Sequence, residues 1–302
     1  MDKPPIIYFG NEQLAQGLSE PITPILDSLI AAGYPIKAIF THYHPGQKSR
    51  KERIPRVIEL ANQHSIPLHT PSNKRELLDT IKPIVTELDQ PPIGILAAYN
   101  ILIPDEVLEL FEPIGIINLH PSLLPLYRGS TPIESAILDG ADHTGISLMK
   151  LTSGMDSGPL YFSQHIDIFP TETKDQIYNK LAKSGANAIM SLLPVVKSTT
   201  PSPQSDTGAT YTQKLDKSMA TLDPAAKTAS RLAREVIAYS GFPKSKLTLN
   251  GKICIITSAH VASQPLTSID QKCTDGNYLV IDSLIPENSR EMSAGAFLLG
   301  NR

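Results

Sequence analysis

Asn118 and His120 stand two residues apart in Asn118-Leu119-His120-Pro121-Ser122-Leu123-Leu124-Pro125, and Asp156 follows in Gly154-Met155-Asp156-Ser157-Gly158. These stretches offer one reaction centre an amide, an imidazole and a carboxylate. An asparagine N–H beside an imidazole suits a tetrahedral oxyanion, and an aspartate suits holding or protonating the ring. No metal-ligand spacing accompanies them. Ser122, the serine that follows the histidine, lacks the strand–turn–helix setting of a nucleophile and reads as a loop hydrogen-bonding residue. This is equipment for moving an acyl group onto an amine without a covalent enzyme intermediate.

The elements around these residues must deliver them together. Ile114–Leu119 reads as a buried strand, in which residues two apart share a face, so Asn118 and His120 project together from its C-terminal end. Pro121 and Pro125 then stiffen the loop that leaves it. Ile6–Phe9, Ile36–Thr41 and Ile93–Tyr99 are further Ile-rich strands. Between them Thr23–Ala32, Pro55–His64 and Lys74–Leu88 have helical spacing, and Gly145–Leu151, Tyr161–Ile168 and a helix over Lys174–Val196 come after. Alternating strand and helix predicts an α/β, Rossmann-like domain with a mostly parallel sheet covered on both faces. Ligands of such sheets sit at the C-terminal strand ends near a switch in strand order. Because Phe9-Gly10-Asn11-Glu12 lacks the G-x-G-x-x-G pattern, a dinucleotide is a poor fit there.

A content of 41% hydrophobic and 19% charged residues is that of a globular protein with room for two domains in 302 residues. Cys254 and Cys273 form neither a disulfide framework nor a zinc pattern. No apolar run is long enough to span a bilayer, and the strand starting at Ile6 leaves no room for a targeting peptide, so a cytoplasmic protein is expected. The net charge of −3 hides an acidic body and a mildly basic last third, which permits a polyanionic partner without establishing one. Residues 197–210, rich in Ser, Thr and Pro, read as a linker between a domain over 1–196 and one over 211–302. In the second domain a helix is expected from Asp223 to about Ser240. Asn250-Gly251 marks a hairpin and Asp275-Gly276 a second turn, giving a small barrel with one helix.

The stretches around Asn118, His120 and Asp156 resemble the catalytic trio of formyltransferases that use 10-formyltetrahydrofolate. Arg128-Gly129-Ser130-Thr131-Pro132-Ile133 resembles the R-G-x-x-P-I stretch of that family. Ala97-Ala98-Tyr99-Asn100-Ile101-Leu102-Ile103-Pro104 is similar to its folate-binding segment. Thr210-Tyr211-Thr212-Gln213-Lys214-Leu215, with the helix and β-rich tail beyond it, is similar to the second domain of the methionyl-tRNA formyltransferase branch, which implies an OB-like fold there.

The resemblance implies 10-formyltetrahydrofolate as co-substrate, no metal, and initiator methionyl-tRNA as the partner of a monomer. It implies donor contacts from Ala97, Ala98, Tyr99, Asn100, Ile101, Leu102, Ser122, Leu123, Leu124 and Pro125. Acceptor contacts would come from Gly10, Asn11, Arg128, Gly129 and the basic run of Lys48, Arg50, Lys51 and Arg53, whose phosphate contacts give affinity without base reading. For Arg128, a carboxylate- or phosphate-binding role and an internal salt bridge that props its loop stand side by side. Three departures from the family's wording stand out. Asn100 replaces a glycine, Asn11 replaces Ser or Thr, and the basic loop lacks Gly-Arg-Gly-Lys-Lys. Three rivals remain: a small-amine acceptor such as an amino-sugar nucleotide or glycinamide ribotide, hydrolysis of the donor, and an RNA-binding protein with a vestigial site.

Overall fold

The computed structural model describes residues 3–11, 22–42 and 55–300. Along the first part run β1 (Ile6–Gly10), α1 (Pro24–Ala31), β2 (Ile36–Phe40), α2 (Arg56–Gln63), β3 (Leu68–His69) and α3 (Lys74–Thr86). They are followed by β4 (Ile93–Ala97), α4 (Asp105–Leu108), β5 (Ile116–His120), α5 (Pro132–Asp139), β6 (His143–Lys150), β7 (Leu160–Asp167) and α6 (Lys174–Leu192). The sheet order is β3-β2-β1-β4-β5-β6-β7, parallel as far as β5, with β6 and β7 antiparallel to their neighbours. The order reverses between β1 and β4, and the crevice beyond their C-terminal ends is where such sheets take ligands. This is a Rossmann-like arrangement.

Alternation along each central strand explains why both faces are covered. Ile6 and Tyr8 of β1 and Ile117 and Leu119 of β5 pack into a core with Leu26, Leu29, Leu60, Tyr178 and Leu181 of α1, α2 and α6. Ile7, Phe9 and Ile116 point the other way, against Leu77, Ile81 and Val107 of α3 and α4. Local capping agrees with the sequence. Asn73 accepts hydrogen bonds from Arg75 N and Glu76 N at the start of α3, and Thr173 and Gln176 form a reciprocal capping box on α6.

The second domain comprises α7 (Ala229–Ala238), β8 (Lys246–Leu249), β9 (Lys252–Ala262), β10 (Gln271–Lys272), β11 (Tyr278–Pro286), β12 (Met292–Ser293) and α8 (Ala294–Leu299). Its antiparallel sheet, β10-β11-β9-β8 with β12 on β11, curls as an OB-like half-barrel. Leu232, Val236, Leu247, Ile256, Leu279, Leu284 and Phe297 fill its core. Asn250 and Gly251 both have positive φ (49° and 75°), the conformation a two-residue hairpin turn demands.

Two expectations for this domain are corrected. The helix starts at Ala229 instead of Asp223, because the Asp223 carboxylate accepts from Ala225 N and Ala226 N in a local turn while Thr228 caps the true helix start. A second helix, α8, closes the barrel where one was expected. The domains meet through α5 and α7. Arg231 Nη1 and Arg234 Nε both donate to Leu138 O, and buried Lys174 donates to Ala238 O and Ser240 O, 3.5 Å from buried Glu134.

Candidate active site

Asn118 and His120 occupy the C-terminal end of β5, on the face that carries Ile116. Asn118 lies opposite Leu96 of β4 on one side and Met149 of β6 on the other, so its backbone is held from both directions. Both side chains are buried, 6% and 4% exposed. His120 Nε2 lies 2.9 Å from Tyr127 O, and its Nδ1 lies 3.6 Å from Asp156 Oδ2. Both ring nitrogens therefore face acceptors, and a ring with one N–H donates to only one of them.

Asp156 reaches the ring from a turn after β6. Its φ of 46° lies in the left-handed region, a conformation that costs a non-glycine residue about 1–3 kcal/mol. The surroundings hold it there. Gly129 N donates to Asp156 Oδ2 at 2.8 Å, so the carboxylate bridges the loop after β5 to the imidazole. Gly129 itself has φ 112°, and a Cβ there would sit 2.5 Å from Thr212 Oγ1.

The segment read as a linker is fastened to this site. Ser202 pairs with Leu160 of β7 through reciprocal backbone hydrogen bonds, and Arg128 pairs with Tyr211 in the parallel sense. Between these points Gln204 Nε2 donates to Asp156 O at 3.0 Å and Gly158 O at 2.6 Å, while its Oε1 accepts from Arg128 Nη2 at 3.0 Å. Sequence reasoning missed Gln204 because its partners lie far away along the chain.

Arg128 resolves toward the internal bridge. Its side chain is 1% exposed, its Nη1 donates to Asp206 at 2.8 Å and Tyr211 Oη at 3.2 Å, and it stacks over the Tyr211 ring. That leaves no surface for the acceptor contact expected of it. Ser122 is also engaged internally. It is fully buried, and its hydroxyl donates to Leu126 O inside the loop, which fastens the loop. Leu123 and Pro125 are partly exposed on the same loop, and Leu124 is buried.

The remaining candidates gather at the reversal of strand order. Gly10 ends β1, and a Cβ there would sit 2.5 Å from Ala97 O, so only glycine permits the approach of β1 to β4. Asn11 donates to Ala98 O and accepts from Thr41 Oγ1 and His42 N, tying together the ends of β1, β4 and β2. Its side chain is thus occupied by the scaffold. Ala97 ends β4 in the core, and Ala98 comes next with φ 57°. Tyr99 packs edge-on against Phe9, Ile101 is partly buried, and Asn100 and Leu102 are exposed, Leu102 by 62%. Burial pushes the Tyr99 phenol upward. Lys48, Arg50, Lys51 and Arg53 lie outside the described residues. Among the described residues no cluster of His, Cys, Asp and Glu could hold a metal ion, and no helix is long and apolar enough to cross a membrane.

Residues 37–193 match the family model described as formyl transferase. A methionyl-tRNA formyltransferase from Methylococcus capsulatus is 31% identical over 296 residues, covering 93% of this chain and 94% of that protein. Two solved structures share the fold. WlaRD, a sugar 3N-formyl transferase solved in the presence of dTDP and 5-N-formyl-THF, superposes with a TM-score of 0.64 at 16% identity over 95% of this chain and 99% of its own. HypX from Aquifex aeolicus, in complex with tetrahydrofolic acid, gives 0.62 at 15% identity over 99% of this chain. The chain spans about half the length of HypX, 47%. Taken with the geometry at the end of β5, these matches show that the chain belongs to the formyl transferase family and is a one-carbon transferase.

Proposed function

We propose that the protein transfers the formyl group of 10-formyltetrahydrofolate to the amino group of initiator methionyl-tRNA. The observation that carries the reading is the 3.6 Å contact between the Asp156 carboxylate and His120, at a strand end that also presents Asn118. The near end-to-end match to a methionyl-tRNA formyltransferase supports the choice of acceptor. Residues 1–196 would carry the chemistry, 197–210 would join the domains, and 211–302 would hold the tRNA.

The residues fit a folate-type donor. The chain leaves β4 at the reversal of strand order with Ala98 in a left-handed conformation and Leu102 exposed, offering backbone polar groups and an apolar side chain to a flat ring. The donor supplies the activated formyl carbon. Attack by the neutral amine forms the new C–N bond and places negative charge on the formyl oxygen. Asn118 Nδ2 donates to that oxygen, and a His120 N–H adds a second donor as the ring exchanges its contact with Tyr127 O. Asp156 Oδ2 keeps the ring oriented and takes the proton shed by the attacking nitrogen. The oxyanion then re-forms the carbonyl as the bond to N10 breaks, and N10 takes up the proton that Asp156 received, so that tetrahydrofolate leaves neutral at N10. Holding amine and formyl carbon together at the end of β5 supplies the orientation that a bimolecular reaction in water lacks.

On this reading the protein works as a monomer in the cytoplasm. The test is transfer of labelled formyl to charged initiator and elongator methionyl-tRNA, with glycinamide ribotide and an amino-sugar nucleotide as parallel acceptors. Label on the initiator that disappears with His120→Ala is the expected result. Label on a small amine alone would keep the chemistry and overturn the tRNA acceptor. Release of formate without acceptor labelling would leave only donor hydrolysis.

A further inference from the structure

Asp156 is the member of the trio that the sheet does not hold. It stands on a turn in a left-handed conformation, and such a residue keeps its place only when its neighbours over-determine it. Gly129 N fixes the carboxylate, but the peptide of Asp156 itself is fixed from elsewhere, by the side-chain amide of Gln204.

We propose that Gln204, on the segment between the two domains, is a positioning residue for Asp156 and so a functional part of the site. The proposal rests on the assignment of Asp156 to formyl transfer. The Gln204 amide has two N–H bonds, and its Nε2 donates to Asp156 O and Gly158 O, holding the chain as it leaves the turn. Its carbonyl is used at the same time by Arg128 Nη2. Arg128 is the residue before Gly129, so one side chain links the two loops whose separation sets the Asp156–His120 distance. Gln204 is well placed to hold that separation. Ser202 pairs with β7 just before it, and Asp206 and Tyr211 grip the Arg128 guanidinium after it. Gly158 has no slack either, because a Cβ there would sit 1.9 Å from Lys150 O.

The stakes are geometric. Misplacement of a catalytic group by about 1 Å costs on the order of 100-fold in rate. Gln204→Glu keeps the acceptor toward Arg128 and loses both donors toward the turn, whereas Gln204→Leu loses all three bonds. Both variants are expected to lose roughly 10- to 100-fold in kcat, with KM for donor and tRNA little changed. In an Asp156→Asn background neither should lose more, since residues acting through one group are not additive. Loss in the Leu variant alone would assign the effect to Arg128 and overturn the proposal. A fully additive loss beside Asp156→Asn, or wild-type kcat in the Glu variant, would overturn it as well.

A second readout does not depend on the acceptor. The ring ¹⁵N resonances of His120, assigned with His120→Gln, report its contact with Asp156. In Gln204→Glu they should move toward those of Asp156→Asn, and unmoved resonances in the folded variant would overturn the proposal. If the wild-type protein formylates no amine, the functional reading fails in the activity arm while the resonances still decide the role of Gln204.

Discussion

The two halves of the site are built by different means. Asn118 and His120 ride on a strand hydrogen-bonded on both sides, and their relative placement follows from the pleat. Asp156 rides on a turn in a left-handed conformation and is held by Gly129, Gln204 and, through them, Arg128. The strand half is preorganised by a sheet that exists for reasons of burial. The loop half is preorganised by polar fasteners that reach it from distant parts of the chain. Damage to the first should therefore remove chemical groups from an intact frame, while damage to the second should move a group that is still present.

The largest expected effect comes from breaking the strand half at its proton-handling group. His120→Ala should lower kcat by on the order of 100- to 10,000-fold with donor and tRNA binding retained, as checked by steady-state formylation and a binding titration. Asn118→Ala should raise the barrier by about 2.7–4 kcal/mol, the usual cost of one oxyanion donor, measured as the loss in kcat with KM unchanged. Gly129→Ala tests the loop half. Its φ of 112° and the 2.5 Å approach to Thr212 Oγ1 predict a loss of roughly 1–3 kcal/mol in unfolding free energy, read by denaturant titration, together with reduced turnover. The smallest effect should be that of Asp206→Ala. Its carboxylate is 86% exposed, so solvent screens the pair, and Gln204 and Tyr211 stay on the guanidinium when it is removed. A large loss there would shift the fastening from Gln204 to the surface ion pair.

The contrast between the halves is also a contrast in what could be read from sequence. Strands β1, β2, β4 and β5 announce themselves as Ile-rich runs, and the same-face pairing of Asn118 with His120 follows from a period of two. The Asn250-Gly251 turn is equally local, and both residues adopt the expected left-handed conformation. Local patterns fail where a polar side chain chooses between partners. Asp223 looked like a helix start and instead closes its own turn, and α5 lay hidden in a stretch read only as a loop motif. The composition of 197–210 says nothing of what Gln204 and Asp206 grip, because those partners lie across the chain. Ser122 and Arg128 illustrate the same limit, since residue type alone does not distinguish a ligand contact from a buried brace.

The most direct test of the account is the single-turnover rate of formyl transfer to initiator methionyl-tRNA by Asp156→Asn, with tRNA binding and thermal unfolding measured on the same sample. The variant is expected to stay folded, bind tRNA as the wild type does and transfer formyl at least on the order of 100-fold more slowly. A rate near that of the wild type would contradict this and remove Asp156 from the reaction.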